Sequence, residues 1–277
     1  MFFFKKKKQP EITQKHTPPP FDSSNLDTLV QYVEKYSGVN LIPKKEVLKQ
    51  RFIMFCEQQS IYSFNGLLEK IKYDSNLRQD FINLVTVNET YFMRETLQLE
   101  DSINFLKNRG GSGRILSAPC ASGEEVYSLA MIAHDIQIPA HSLHITGIDI
   151  NSEAIQKAKL GVFSERSLHR LTPEQRLSFF KQENNNYAIQ TQRFCSIDFR
   201  VCNIFDDEFL RFSPFDVIFS RNMMIYFDEN FKRQAVERFH KLLKPSGRLY
   251  TGHADLVPAT PFFNKVTQGR LSYHEKV

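Results

Sequence analysis

The sequence predicts an α/β protein: a mostly parallel sheet with helices on both faces, preceded by a small all-helical domain. Three observations carry this. Residues 21–85 show helical periodicity and no strand signal. After Arg109, short apolar runs alternate with amphipathic stretches, the rhythm of strand–helix–strand units. Between the two textures lies "GGSG", residues 110–113, a flexible joint.

Residues 1–20 read as a disordered basic leader. "MFFFKKKKQP" sets an apolar run ahead of Lys5, Lys6, Lys7 and Lys8, and "HTPPP" resists both helix and sheet. The run is too short for a secretory signal and precedes the charge instead of following it. Within the helical domain, residues 21–85, "SSNLDTLVQYVEKYSG" opens on capping residues and stops at Gly38. "PKKEVLKQRFIMFCEQQ" opens with Pro43 in the first turn, and "SFNGLLEKIKYD" and "LRQDFINLVTV" supply two more helices. The second helix places Val47, Leu48, Phe52, Met54 and Phe55 on one arc flanked by Lys45 and Lys49. Arg51 falls inside that arc, which calls for a buried ion pair or a contact across the domain interface.

Residues 86–277 form the second domain. "RILSAP", "LHITGIDI", "DFRVCNI", "FDVIFSRN" and "RLYTGHA" read as strands, with helices such as "SEAIQKAKL" and "ENFKRQAVERFHKLL" between them. A turn, "KPSG", precedes the fifth strand, and "GRLSYHEK" adds a last one. From Leu171 the rhythm is interrupted: "LTPEQRLSFF" is a helix, and residues 183–197 read as an inserted hairpin.

The 277 residues carry a formal charge of +5, but four of those charges are the leader lysines. The near-neutral remainder offers no chain-wide field for nucleic acid. No segment is long and apolar enough to span a bilayer. Cys56, Cys120, Cys195 and Cys202 form no C-x-x-C pair, so neither a metal site nor a disulfide framework is indicated, and a reducing cytosol fits best.

The chemistry should lie beyond the carboxyl ends of the strands. The first strand runs into "CASGEE", which has one glycine, Gly123, followed by Glu124 and Glu125. Ser122 and Glu125 match a capping box, and Glu124 suits a helix's first turn, so local structure alone could account for both acids. The second strand ends at Asp149, placed to accept from ribose hydroxyls or to cap the next helix, a role Asn151 or Ser152 could fill instead. The fourth ends in "SRNMMIYF", where Arg221, Asn222 and Tyr226 follow a buried run and need partners, although Asn222 could simply cap a turn. "TVNETYFMRE", residues 86–95, adds a candidate segment between the domains: if helical, Thr90 and Arg94 share a face, and Thr86 with Glu89 makes another capping box. A dinucleotide needs a glycine-rich loop free of acids near its phosphates. This loop instead suits a nucleoside without phosphate that carries positive charge, and S-adenosylmethionine is such a molecule.

"NETYFMRE", "SAPCASGEEVYSLAM", "GIDINSEAIQKAKLGVF", "FDVIFSRNMMIYF" and "LLKPSGRLYTGHAD" together resemble the chemotaxis receptor glutamate methyltransferases, the CheR family. The match runs in order from Phe21 to the C-terminus. The resemblance implies a Rossmann-like S-adenosylmethionine-dependent methyltransferase domain behind a helical N-terminal domain. It implies methyl esterification of glutamate side chains on cytoplasmic helices of membrane-embedded chemoreceptors, with S-adenosylhomocysteine as the other product. By motif, Asn88, Thr90, Arg94, Glu125, Asp149, Asn203, Ile204, Arg221 and Asn222 would contact the cofactor, with Arg94 and Tyr226 nearest the transferred methyl. A cytoplasmic monomer recruited to membrane receptors is expected, with no nucleic-acid partner. Two features depart from enteric members: "KQENNNYAIQTQ" lacks the glycine of their receptor-tethering hairpin loop, and their "GHSE" ending reads "GHAD" here.

A non-catalytic S-adenosylmethionine sensor could dispense with Arg94 and Tyr226, which are both present. The near-neutral body and the lack of an N-P-P-Y-type motif argue against a base methyltransferase.

Overall fold

The computed structural model describes residues 19–277, so Lys5 to Lys8 and most of the expected leader lie outside the described residues. Four helices come first: α1 (Leu26–Ser37), α2 (Lys45–Gln58), α3 (Phe64–Tyr73) and α4 (Ser75–Val85). Gly38 stops α1 with φ 77°, its N–H donating to the Glu34 carbonyl at 2.7 Å. Pro43 sits in a 3-10 turn leading into α2, while Ser63 and Asp74 cap α3 and α4 through side-chain oxygens. The four helices share a core built on Leu29, Phe52, Phe64, Ile71 and Phe81.

The arc expected on α2 is narrower than its sequence suggested. Phe52 and Phe55 are buried, but Val47 is 84% and Met54 53% exposed. Leu48, Phe52 and Phe55 follow the three- and four-residue spacing of one stripe, whereas Val47 and Met54 lie seven apart on a neighbouring stripe outside the core. Arg51 is exposed, so it forms no buried ion pair.

The rest of the chain alternates as expected. After α5 (Thr96–Asn108) come β1 (Gly113–Ser117), α6 (Glu124–Asp135), β2 (Leu143–Asp149), α7 (Ser152–Leu160) and β3 (Val162–Ser164). Then follow α8 (Pro173–Phe179), β4 (Phe180–Glu183), β5 (Asn186–Ile189), β6 (Ser196–Val201), β7 (Phe215–Ser220) and α9 (Glu229–Leu242). The chain closes with β8 (Leu243–Thr251), β9 (Phe263–Gln268) and β10 (Leu271–Lys276). The main sheet has the order β6-β2-β1-β7-β8-β10-β9. Its first five strands pair in parallel, and β10 runs antiparallel to both β8 and β9. One face packs under α5 and α6 through Leu99, Leu129 and Ile145; the other packs under α9 through Ile218 and Phe239. The expected mostly parallel sheet with helices on both faces is present.

Three details differ. The hairpin spans 180–189, not 183–197: the "ENNN" turn, with Asn184 at φ 55°, joins β4 to β5, and β3 completes a small antiparallel sheet of order β3-β5-β4. "KPSG" lies inside β8, where Ser246 at φ 56° accompanies a register shift against β7. Strand β9 was not expected, because only Phe263 of its six residues is buried and no apolar alternation marks it. Among the described residues, no helix is long and apolar enough to cross a membrane.

Gly38 joins the helical unit to the sheet at close quarters: a Cβ there would lie 2.7 Å from a Phe205 ring carbon. Gly38→Ala therefore combines a left-handed backbone with a clash, and should cost about 1–3 kcal/mol. The midpoint of denaturant unfolding should fall accordingly; an unchanged midpoint would contradict this contact.

Candidate active site

Strand order reverses at β1, with β2 on one side and β7 on the other. Loops leaving the two strands therefore diverge and open a crevice at their carboxyl ends. A cavity of about 580 Å³ lies there. All ten residues expected at the site line it: Asn88, Thr90 and Arg94 before α5; Glu125 on α6; Asp149 ending β2; Asn203 and Ile204 after β6; and Arg221, Asn222 and Tyr226 after β7.

Residues 86–95 are not helical. Thr86 ends α4 with its hydroxyl donating to the Ile82 carbonyl at 3.0 Å, so no capping box with Glu89 forms, and Thr90 and Arg94 share no helix face. Met93 and Glu95 have φ of 56° and 52°, values no helix interior accepts. Docking explains the break. Asn151 Nδ2 donates to Thr86 Oγ1 at 2.7 Å, and Asn83 Nδ2 to Ser152 Oγ at 2.9 Å, pinning the end of α4 to the start of α7. The chain then turns across the cavity. Arg94 Nη1 donates to the Glu89 carbonyl at 3.0 Å, and its guanidinium lies 5.6 Å from the Tyr91 ring centroid.

The two carboxylates of "CASGEE" part company. Glu124 is buried away from the cavity and accepts from Ser122 Oγ at 2.8 Å and Ser167 Oγ at 3.1 Å. Glu125 faces the cavity, and Gly123, not Ser122, is the N-cap of α6, so the Ser122–Glu125 capping box is absent. Instead Glu125 accepts from Ser117 Oγ at 2.7 Å and from Arg221 Nε at 2.5 Å. Arg221 also donates through Nη1 to the Arg94 carbonyl at 2.7 Å and stands 3.7 Å from Glu95. Glu95, which sequence reasoning missed although it closes the quoted "NETYFMRE", takes His253 on its other oxygen at 3.2 Å. One guanidinium thus sits between two carboxylates and leaves an acidic excess.

Asp149 does not cap α7; Asn151 does, accepting from Ala154 N–H at 2.9 Å. Asp149 instead accepts from the N–H groups of Asn151 (2.8 Å) and Ala121 (2.9 Å), each oxygen keeping a lone pair. Burial pushes its pKa up to about 6. Asn203 donates to the Tyr36 carbonyl at 2.7 Å and Asn40 N–H to the Tyr226 carbonyl at 2.8 Å, so the helical unit helps build the wall. Asn222 adopts φ 57° and hands its N–H to Asp255, a second residue sequence reasoning missed. Its only signal was an acid beyond β8, in "GHAD". The four cysteines are unbridged, and burial raises the thiols of Cys120 and Cys202. Among the described residues, no group of His, Cys, Asp and Glu is arranged to hold a metal ion.

Residues 88–271 match the CheR methyltransferase, SAM binding domain family. The chain belongs to the CheR methyltransferase family. A chemotaxis protein methyltransferase of Campylobacter jejuni (strain 81-176) is 42% identical over 91% of this chain and 96% of its own. Proteins of the same name from Vibrio cholerae (33% identity, numbered 2; 76% of this chain, 78% of its own) and Escherichia coli K12 (29%; 81% and 82%) are also similar. This CheR protein is therefore a methyltransferase with a Rossmann-like fold, and S-adenosylmethionine is its cofactor. The residues fit that group. A buried carboxylate with lone pairs to spare ends β2, Glu95 Oε2 is buried without a hydrogen-bond partner, and the one guanidinium of Arg221 stands between two carboxylates, Glu95 and Glu125.

Removing the guanidinium should strand Glu125 and Glu95. Arg221→Met is expected to cost about 3–5 kcal/mol of stability, the range for breaking a buried pair from one side. Unfolding by denaturant checks this; a loss under about 1 kcal/mol, the level of surface pairs, would mean that the cluster is not held as described.

Proposed function

We propose that this protein methyl-esterifies glutamate side chains on the cytoplasmic helices of membrane-embedded chemoreceptors. The relatives' name, chemotaxis protein methyltransferase, supports this substrate class. The observation that carries it is the cavity's charge layout: Asp149 and the Arg221-paired Glu125 are buried in its lining, while Lys44 and Arg51 line it from exposed positions. A cationic cofactor suits the first and an anionic side chain the second.

When bound, S-adenosylmethionine would supply an electrophilic methyl on cationic sulfur for a substrate carboxylate oxygen to accept, leaving S-adenosylhomocysteine. Asp149 would accept from the ribose hydroxyls. Asn88, Thr90, Glu125, Asn203, Ile204, Arg221 and Asn222 would complete the pocket, with Arg94 and Tyr226 at the reacting end. No general base is required, since a glutamate with a reference pKa of about 4.3 is ionised at neutral pH. Positioning must then supply most of the acceleration, and holding reactants in line can be worth roughly 7–11 kcal/mol. Arg94 holds the incoming carboxylate and the Tyr226 hydroxyl orients it. Too strong a grip would stabilise the ground state and slow the attack.

With labelled S-adenosylmethionine and receptor-containing membranes, label should enter receptor protein and leave as methanol in mild base, because methyl esters are alkali-labile. Base-stable label would point to nitrogen or carbon methylation and end this reading. Tyr226→Phe should lower turnover more than it weakens S-adenosylhomocysteine binding; equal losses would refute its role at the reacting end. The Asp149 acceptor is fully ionised only above its pKa of about 6. Affinity for S-adenosylhomocysteine, measured by calorimetry, should therefore fall as pH drops through that value, and a flat profile there would deny Asp149 its place at the ribose.

A further inference from the structure

The loop after β7 carries Arg221, Asn222 and Tyr226 into the cavity wall, yet its only regular structure is one 3-10 turn, Met224–Tyr226. Its remaining N–H groups need partners from outside. Asp255 provides them for Asn222 and Ile225. Oδ2 accepts from Asn222 N–H and from Gly252 N–H at 2.9 Å, and Oδ1 accepts from Ile225 N–H at 3.2 Å. One carboxylate therefore ties both halves of the loop to the end of β8.

The side chain is buried and does not line the cavity, so it acts only through what it holds. Asn222 at φ 57° is left-handed, a conformation asparagine adopts more readily than other residues with a Cβ and one that turns its N–H toward Asp255. The surroundings here are tight. A Cβ on Gly252 would come within 2.9 Å of both Asp255 Oδ2 and Asn222 Nδ2, so β8 and the loop are in direct contact. At the loop's far end, the Tyr226 carbonyl accepts from Asn40 N–H.

We propose that Asp255 is a positioning residue for methyl transfer: by accepting two backbone N–H groups of the Asn222–Tyr226 loop and that of Gly252, it fixes the loop, and so the Tyr226 hydroxyl, against the end of β8. The inference rests on the role given above to Tyr226. It requires both carboxylate oxygens to be acceptors. An asparagine has one acceptor oxygen and turns an NH₂ toward N–H groups whichever way it flips, while a glutamate keeps both acceptors.

The test compares the full chain with Asp255→Asn and Asp255→Glu, by steady-state methylation of receptor membranes, S-adenosylhomocysteine calorimetry and peptide-level hydrogen exchange. Asp255→Asn should lower kcat about 10- to 100-fold, the scale of a small misplacement at a reacting centre. Cofactor affinity should change far less. Exchange should quicken in the Asn222–Tyr226 loop and not in β7 or the body of β8, and Asp255→Glu should recover most of the lost rate and protection. A wild-type kcat in Asp255→Asn overturns the inference. So do equal losses of kcat and affinity with protection lost throughout, or a glutamate variant no better than the asparagine one. Wild-type protein that leaves receptor membranes unlabelled faults the proposed substrate separately. The exchange experiment then decides alone: loop protection on adding S-adenosylhomocysteine in wild type and Asp255→Glu but not in Asp255→Asn supports the assignment, and the same response in all three overturns it.

Discussion

The site depends on a guanidinium that has almost no access to water. Arg221 directly follows β7 with its side chain 4% exposed and must find its partners inside the protein. It finds them on two segments: Glu125 at the start of α6, and both Glu95 and the Arg94 carbonyl in the stretch before α5. Burying charge is tolerable only when it is paired and hydrogen-bonded. The pairing therefore fixes how the β1–α6 turn, the 86–95 segment and the β7 loop meet. It also sets two carboxylates against one guanidinium where those segments meet, and Asp149 adds a further acid to the cavity lining beside Glu125, an arrangement suited to a positively charged ligand.

The helical unit is part of that interior. α4 is stapled to the β2–α7 turn through Asn83, Asn151 and Thr86, so the chain emerging from it must cross the cavity. The end of α1 does the same on the other side, through the Tyr36 carbonyl and Asn40 N–H. Gly38 permits the approach, because any side chain there would meet Phe205. The residues facing the cofactor cavity thus come from both halves of the chain, although neither half shares its main core with the other.

Much of this was legible in the residues. Strand–helix alternation announces the sheet, and polar residues directly after apolar runs mark strand ends at Glu125, Asp149, Arg221, Asn222 and Tyr226; Asn203 and Ile204, and the cofactor roles of Asn88, Thr90 and Arg94, followed only from the family resemblance. What each polar group binds was not legible, because the competing local patterns were equally good. Ser122 and Glu125 match a capping box, but Glu125 pairs with an arginine 96 residues away. Asp149 and Asn151 could each cap α7, and only packing against α4 decides between them. The 86–95 segment lost its helix to two positive φ values that no sequence spacing encodes. Asp255 was noticed only as a departure from a motif, since nothing local reveals that it serves a loop 30 residues earlier.

A pocket of this electrostatic design should discriminate between two kinds of nucleotide. Side-by-side calorimetric titration of the purified protein with S-adenosylhomocysteine and with a nicotinamide dinucleotide reads that choice directly. Saturable heat at one site from the first and none from the second is the predicted result. Tight uptake of the dinucleotide, with S-adenosylhomocysteine silent, would contradict it.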